Sequence, residues 1–422
     1  MYLRDQVMFD RSSSKQTLDL DADTGEVVHQ EGAGYHGFTV DPRFSVGKAA
    51  DPVEGFATPE GTRRYAERNR SIVDRSNFKS IPLLKGDTDT LTLSKLVYGT
   101  AAGPGAPSED YRQYNSLKYA ILSGGMNHID TGHSFRQHRA ELTIGKLLTT
   151  LFEKYGVKRE ELFINSKQGA VGMNAYEEAP AQLIARELID STELEATDFV
   201  RGGTYSLHPR FLDHSLNQSL EKLNLRTIDC AILQNPFEAA FLGYTPEEAG
   251  HSTSARHQRY LYRLARAFQF YEQAVQDGRI RSYGISCHDS LITAQEAGLR
   301  VKDADGVVDE ATGEVVRKWS TRRTEYEIQQ ICEVEEAARR VGGENHHFRF
   351  VQAPFNLGEP NLLLEKRAQK LSRGSEETDS LMEVCGQLGL NVLGARAFRG
   401  GVLALAPLPP ALGTQEPAAR LL

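Results

Sequence analysis

The feature that most constrains this chain is a change of texture at Ile81. From there on, short apolar runs alternate with longer amphipathic stretches. A run too short for a buried helix, followed by a stretch of 3.6-residue period, is the βαβα pattern of a parallel sheet covered on both faces. The strand runs are 95–99, 128–131, 162–166, 228–233, 280–286, 349–353 and 391–395. The helical patterns between them are 110–122, 142–155, 213–223, 259–276, 324–340 and 380–388. Seven strands with six intervening helices predict an α/β fold, a (β/α)8 TIM barrel that stops one βα unit early. The barrel occupies 81–422, and residues 1–80 form an N-terminal extension.

That extension has few apolar clusters. Residues 18–28 alternate around Thr24-Gly25 and read as a hairpin. Asp19, Asp21 and Asp23 have some likeness to a calcium loop, but Gly25 is one place late and no acidic residue closes it. Residues 58–70 predict a short helix and the remainder an arm. A hairpin around 86–89 joins 83–85 to 90–93. Two insertions interrupt the barrel. Pro236 opens one at 237–256, after the fourth strand, and the other, 303–323, turns back at Ala311-Thr312-Gly313 between the fifth and sixth. Both follow a strand, so both belong to the rim where such barrels carry function.

Composition narrows the classes. A net charge of -8 argues against a nucleic-acid partner, which requires a basic stripe. No apolar run has the eighteen or so residues of a membrane span. The four cysteines Cys230, Cys287, Cys332 and Cys385 form no CxxC pair, which suits a reducing compartment and offers no metal site. Arg4 and Arg11 interleave with Asp5 and Asp10, which is poor for a transit peptide; an intracellular location is expected, cytoplasmic and organellar (mitochondrial) sites both staying open. His346-His347 is a poor metal pair, because adjacent strand side chains face opposite ways. Tyr260, Tyr262, Phe268 and Tyr271 read as core or interface, and His208 and His214 as surface residues.

Five ordered segments carry a resemblance. They are 127–145 (NHIDTGHSFRQHRAELTIG), 162–169 (LFINSKQG), 215–236 (SLNQSLEKLNLRTIDCAILQNP), 278–286 (GRIRSYGIS) and 350–357 (FVQAPFNL). In order and spacing they resemble the aldo-keto reductase superfamily, closest to its NADP-dependent oxidoreductase-like branch. The resemblance covers 81–422. It implies a tetrad in which a Tyr gives a proton to the substrate oxygen as hydride arrives, a Lys lowers the phenol pKa, an Asp pairs with the Lys and a His orients the substrate. An alkoxide forming at neutral pH requires such an acid and such donors.

On this chain the four positions are Asp130, Phe135, Lys167 and Gln234. Phe135 has no proton to give, and Gln234 can donate a hydrogen bond but cannot titrate. Loss of a general acid costs about 10²–10⁴ in rate. If Phe135 is displaced by one turn, His133 or His138 takes the donor position instead. The resemblance also implies a nicotinamide grip at Ser286 and Gln352, with Cys287 where the family has Asn. Both are read as vestigial, because the phosphate-binding end of the barrel does not follow before Leu422.

The expectation is therefore a catalytically inactive barrel serving as a structural or accessory subunit, with other protein subunits as partners. No cofactor is expected, or NADP(H) if the ancestral site is retained. An atypical NADP(H)-dependent carbonyl oxidoreductase and a nucleotide-binding sensor without turnover are the alternatives. A seven-strand barrel leaves two edges unpaired. The expected filler is a partner segment, or else the chain's own arm at 37–40.

Overall fold

The computed structural model describes residues 51–84, 88–171, 204–241, 252–288 and 329–398, with shorter pieces at 19–20, 27–28, 194, 198–200, 290–292, 296–302, 307–308, 315–316 and 319–325. The arm residues 37–40, the turns at 24–25 and 311–313, and residues 399–422 lie outside the described residues.

In chain order, β1 (Asp19–Leu20) pairs with β2 (Val27–Val28), giving the first hairpin. Next come α1 (Pro59–Arg68), β3 (Phe78–Pro82), β4 (Thr90–Ser94), β5 (Tyr98–Gly99) and α2 (Pro107–Leu122). The barrel continues through β6 (His128–Gly132), α3 (Arg139–Lys154), β7 (Phe163–Gln168), α4 (Pro209–Leu223), β8 (Ile228–Leu233), α5 (Thr253–Gln276) and β9 (Ile280–Ser286). A hairpin follows, β10 (Glu296–Lys302) to β13 (Trp319–Glu325), with β11 (Val307–Val308) and β12 (Val315–Val316) inside it. The last elements are α6 (Ile331–Gly342), β14 (Phe348–Pro354), α7 (Asn361–Leu364), β15 (Gln369–Lys370), β16 (Thr378–Asp379), α8 (Leu381–Leu388) and β17 (Asn391–Ala395).

Seven strands form one parallel sheet in the order β17-β14-β9-β8-β7-β6-β5. It is curled. Strands lie about 4.8 Å apart, so β14 and β6, four steps apart, would stand about 19 Å apart in a flat sheet. Yet Gln352 of β14 donates to Asp130 of β6 at 3.1 Å. The curl encloses an apolar floor of Phe163, Cys230, Ile232, Phe350 and Leu393, plugged from below by Leu91 and Leu93 of the β3–β4 hairpin. Asn391 of edge strand β17 ties itself to that hairpin through Pro82 O at 3.1 Å. The larger core lies between the sheet and its outer helices.

The base is sealed by residues 53–69. Val53 bridges Leu225 in parallel. Buried Asp229 collects the Ala57 amide at 2.7 Å, the Ile164 amide at 2.9 Å and the Arg159 guanidinium at 2.8 Å. Helix α1 starts with Thr58 as N-cap and Pro59 in its first turn, a strong local start signal. It lies close enough to Glu160 that a Cβ on Gly61 would sit 2.3 Å from the Glu160 carbonyl oxygen, so only glycine fits. Tyr65 is fully buried, its hydroxyl reaching the carbonyls of Ile121 at 2.6 Å and Met126 at 3.0 Å.

Some expectations need correction. The helix read at 324–340 begins at Ile331; Trp319–Glu325 instead pairs along its whole length with Glu296–Lys302. The pairing partner is distant in sequence, and it overrides the local helical pattern. The first barrel strand pairs only at Tyr98–Gly99, and the preceding hairpin reaches back to Phe78. Of the aromatics read as core or interface, Tyr260, Phe268 and Tyr271 are buried and Tyr262 is 63% exposed. His346 and His347 do diverge: His346 lies 3.3 Å from Glu335 and His347 2.7 Å from Glu272, carboxylates on different helices. Among the described residues no group of three or more side chains could hold a metal ion, and no helix is long and apolar enough to cross a membrane.

Candidate active site

Period-2 alternation decides which side chains face the barrel interior. On β6 these are His128 and Asp130, and the register sets them beside Phe163 and Asn165 of β7, with Gly132 beside Lys167. The apolar floor thus gives way upward to a polar layer. Lys167 Nζ lies 2.5 Å from both Asp130 oxygens, and both residues are buried. Asn165 donates to Asp130 Oδ1 at 2.5 Å and Gln352 to Oδ2 at 3.1 Å. Because the Asn165 amide nitrogen faces Asp130, its oxygen accepts, so His128 donates from Nε2 at 2.8 Å. Burial lowers the His128 pKa, and the Asn165 contact only partly opposes this.

Phe135 caps this layer. The Lys167 ammonium sits 5.0 Å from its ring centroid, within cation–π range. The ring also crowds Gly132, where an added Cβ would lie 3.1 Å from both the Phe135 ring and the Lys167 side chain. Gln234 stands half-buried at the rim, its Oε1 at 3.5 Å from the Ser134 hydroxyl. The structure therefore brings Asp130, Phe135 and Lys167 into contact and leaves Gln234 facing Ser134.

His133 and His138 lie elsewhere. Their rings stack edge to face, centroids 4.6 Å apart. Lys222 of α4 is the nearest charge felt by both. They belong to the layer between sheet and helices, so neither replaces Phe135 at Lys167.

The residues that resemble a nicotinamide grip have other partners. Ser286 is buried, donates to Asn235 Oδ1 at 3.1 Å and accepts the Asn235 amide at 3.2 Å. Gln352 directs its amide nitrogen to Asp130. Cys287 is buried, with its amide on the Gln352 carbonyl at 2.8 Å. Gln352 thus commits an amide hydrogen to Asp130, and Ser286 its hydroxyl proton to Asn235. Past this point Glu238, on a π-helical turn at Phe237–Phe241, accepts from the His288 amide at 2.8 Å and the Ser290 hydroxyl at 2.7 Å. Burial raises its pKa.

Sequence reasoning missed Asn165 and His128. Their signal was present: His128 lies two positions before Asp130 and Asn165 two before Lys167, hence on the same face of the strand.

The sequence profile of the aldo/keto reductase family matches residues 95–336, more than half of the chain. The chain belongs to the aldo/keto reductase family. No curated protein sequence matches it. Among solved structures it is similar to a thermostable aldo-keto reductase crystallised with the inhibitor epalrestat, at 18% identity and TM-score 0.41, over 81% of this chain and 80% of that one. It is likewise similar to the holo form of an aldo-keto reductase from Bacillus halodurans, at 14% identity and TM-score 0.41, over 79% and 71%. An aldo-keto reductase of the silkworm Bombyx mori gives 17% identity and TM-score 0.41, over 80% and 70%.

Proposed function

We propose that this member of the aldo/keto reductase family is catalytically inactive and serves as a structural or accessory subunit, with other protein subunits as its partners. The observation that carries this reading is the Phe135 ring over Lys167 at 5.0 Å. At the position of the family's proton donor this chain offers a π face, and the rings of His133 and His138 pack on each other rather than on the ammonium. Losing a general acid alone removes about 10²–10⁴ in rate. The internal partners of Ser286 and Gln352 support the absence of a working nicotinamide site.

A subunit role is supported by apolar side chains left in solvent on the two connections that follow β14 and β17. Leu357 is 84% exposed and Leu364 63% on the first; Phe398 is 60% exposed on the second. Exposed apolar surface of this kind marks interaction sites. Among the described residues, edge strands β5 and β17 add unpaired backbone to the same argument. Four buried cysteines, none of them in a disulfide, suit a reducing compartment, cytoplasmic or organellar.

The test is NADPH oxidation by the purified full chain across a broad aldehyde and ketone panel, with direct titration of NADPH binding. No turnover and no binding are expected. Turnover within about tenfold of an ordinary reductase, taking the general-acid loss at its low end, overturns the proposal. Tight binding without turnover replaces it with a nucleotide sensor.

A further inference from the structure

Directly after Phe135 the backbone is strained. Arg136, Gln137 and His138 have φ of 51°, 58° and 66°, three successive side-chain-bearing residues in the left-handed region. Residues with a Cβ are sterically crowded there, and such strain persists only where the surroundings over-determine it. Two sets of contacts do so. On the α2 side the Arg136 guanidinium donates to Asp110 at 2.6 Å, Gln113 at 2.8 Å and the Pro104 carbonyl at 3.1 Å. Arg139 adds a second contact to Asp110 at 2.9 Å.

On the other side stands the His133–His138 stack, and its polar atoms are poorly served. His133 Nδ1 and both ring nitrogens of His138 are buried without an aligned hydrogen bond. The His133 and Val171 backbones approach His138 closely enough to favour its charged form, but weakly. The charges that face the pair from α4 are Lys222 and His214. Asp213 and Glu221 act on those two in turn. From α3 comes Glu141, fully buried, whose Oε1 accepts from Ser166 at 2.6 Å and which burial pushes toward its neutral form. The β7 side contributes the apolar Val171. Among the described residues, a proton arriving on either ring therefore meets a cation and a second imidazole, with no carboxylate paired to it. Burial, and after it Lys222, holds His133 well below the usual histidine range and His138 at about 4.

We infer that the His133–His138 stack is a proton-operated latch: neutral, it keeps the left-handed turn closed with Phe135 on Lys167; protonated, it releases the turn. The sign follows from linkage. A histidine in the opened turn takes its proton near the ordinary value of about 6.5, whereas the closed one resists. The open form binds more protons in that window, so the closed form weakens as pH falls from about 6.5 toward about 4. Each histidine contributes up to about tenfold in the opening equilibrium per pH unit.

Hydrogen exchange read by mass spectrometry on the full chain, corrected for the pH dependence of intrinsic rates, tests this. Between pH 7 and 4.5, peptides over 132–142 should lose at least about tenfold in protection while β8 and β9 hold. In the double variant His133→Asn, His138→Asn the loss should vanish; Asn accepts left-handed geometry. Equal loss in wild type and variant overturns the latch, as does loss in step with β8. If the double variant fails a circular dichroism check, His138→Asn is compared instead and the wild-type histidine ring protons are titrated by NMR. Both rings titrating near 6.5 overturns it.

Discussion

Replacing Lys167 by Met tests whether the buried pair is structural. Met preserves most of the side-chain volume and can lie against the Phe135 ring, where the ammonium now sits at 5.0 Å. What is lost is the counter-ion of Asp130, held at 2.5 Å by both oxygens. Breaking a buried pair from one side costs roughly 3–5 kcal/mol. One effect limits the figure here. The Asn165 and Gln352 amides remain as donors, at 2.5 Å and 3.1 Å. The expected loss is thus at the low end, about 3 kcal/mol. Urea unfolding of wild type, Lys167→Met, Asp130→Asn and the double variant measures this. The double variant should cost less than Lys167→Met alone, with a coupling of at least about 1.5 kcal/mol. Single costs that add to within about 0.5 kcal/mol would show that the two side chains are not coupled.

Three further outcomes follow from the same structure. Asp110→Asn leaves the Arg136 guanidinium, whose side chain is fully buried, without its carboxylate; stability should fall by about 3 kcal/mol in urea, with exchange rising first over 132–142. Tyr65→Phe removes the hydroxyl that joins α1 to the Ile121 and Met126 carbonyls; a loss of about 1–2 kcal/mol is expected, and none would show that α1 is not part of the barrel base. Phe135→Tyr with Gln234→His should leave NADPH turnover undetected because Ser286 and Gln352 keep their internal partners; robust turnover would show that the cofactor site reforms.

The sheet was legible because its strands are short, buried and apolar. Ile228–Leu233, Ile280–Ser286 and Asn391–Ala395 stand where the pattern puts them. The helix at Pro107 was read short at its start, since its first turn, Pro-Ser-Glu-Asp, is polar and carries no apolar period; the one at Pro209 was read short too, although Phe211 and Leu212 of its first turn are buried. The base was not legible. Asp229 meets Ala57 across 172 residues, and no local pattern announces such a pairing. At the site, the Asp130–Lys167 pair and the Phe135 cap were legible from motif positions. The polar layer was not, because Asn165 and His128 read as ordinary polar residues until the register sets them beside each other. The left-handed turn escaped as well; none of Arg136, Gln137 and His138 is glycine.

The Asp130–Lys167 ion pair has a physical role in the sheet itself. Among the described residues β5 and β17 are unpaired edges, so no continuous ladder of hydrogen bonds holds the curl. Something must pull distant strands inward. The apolar floor does so at the base, with Phe163, Phe350 and Leu393 meeting over Leu91 and Leu93. One layer up, Asp130 does it with charge. It gathers Lys167 and Asn165 from β7 and Gln352 from β14, a strand four places away in the sheet. In a low-dielectric interior such a satisfied network is stronger than its separate bonds, and a half-satisfied one is costly. Removing Asp130 or Lys167 alone would therefore loosen the curl as well as strand a charge. On this account the pair is retained for curvature, and Gln352→Leu should open the β14 side of the barrel. Exchange should then rise over β14 and β17 while β6 and β7 keep their protection.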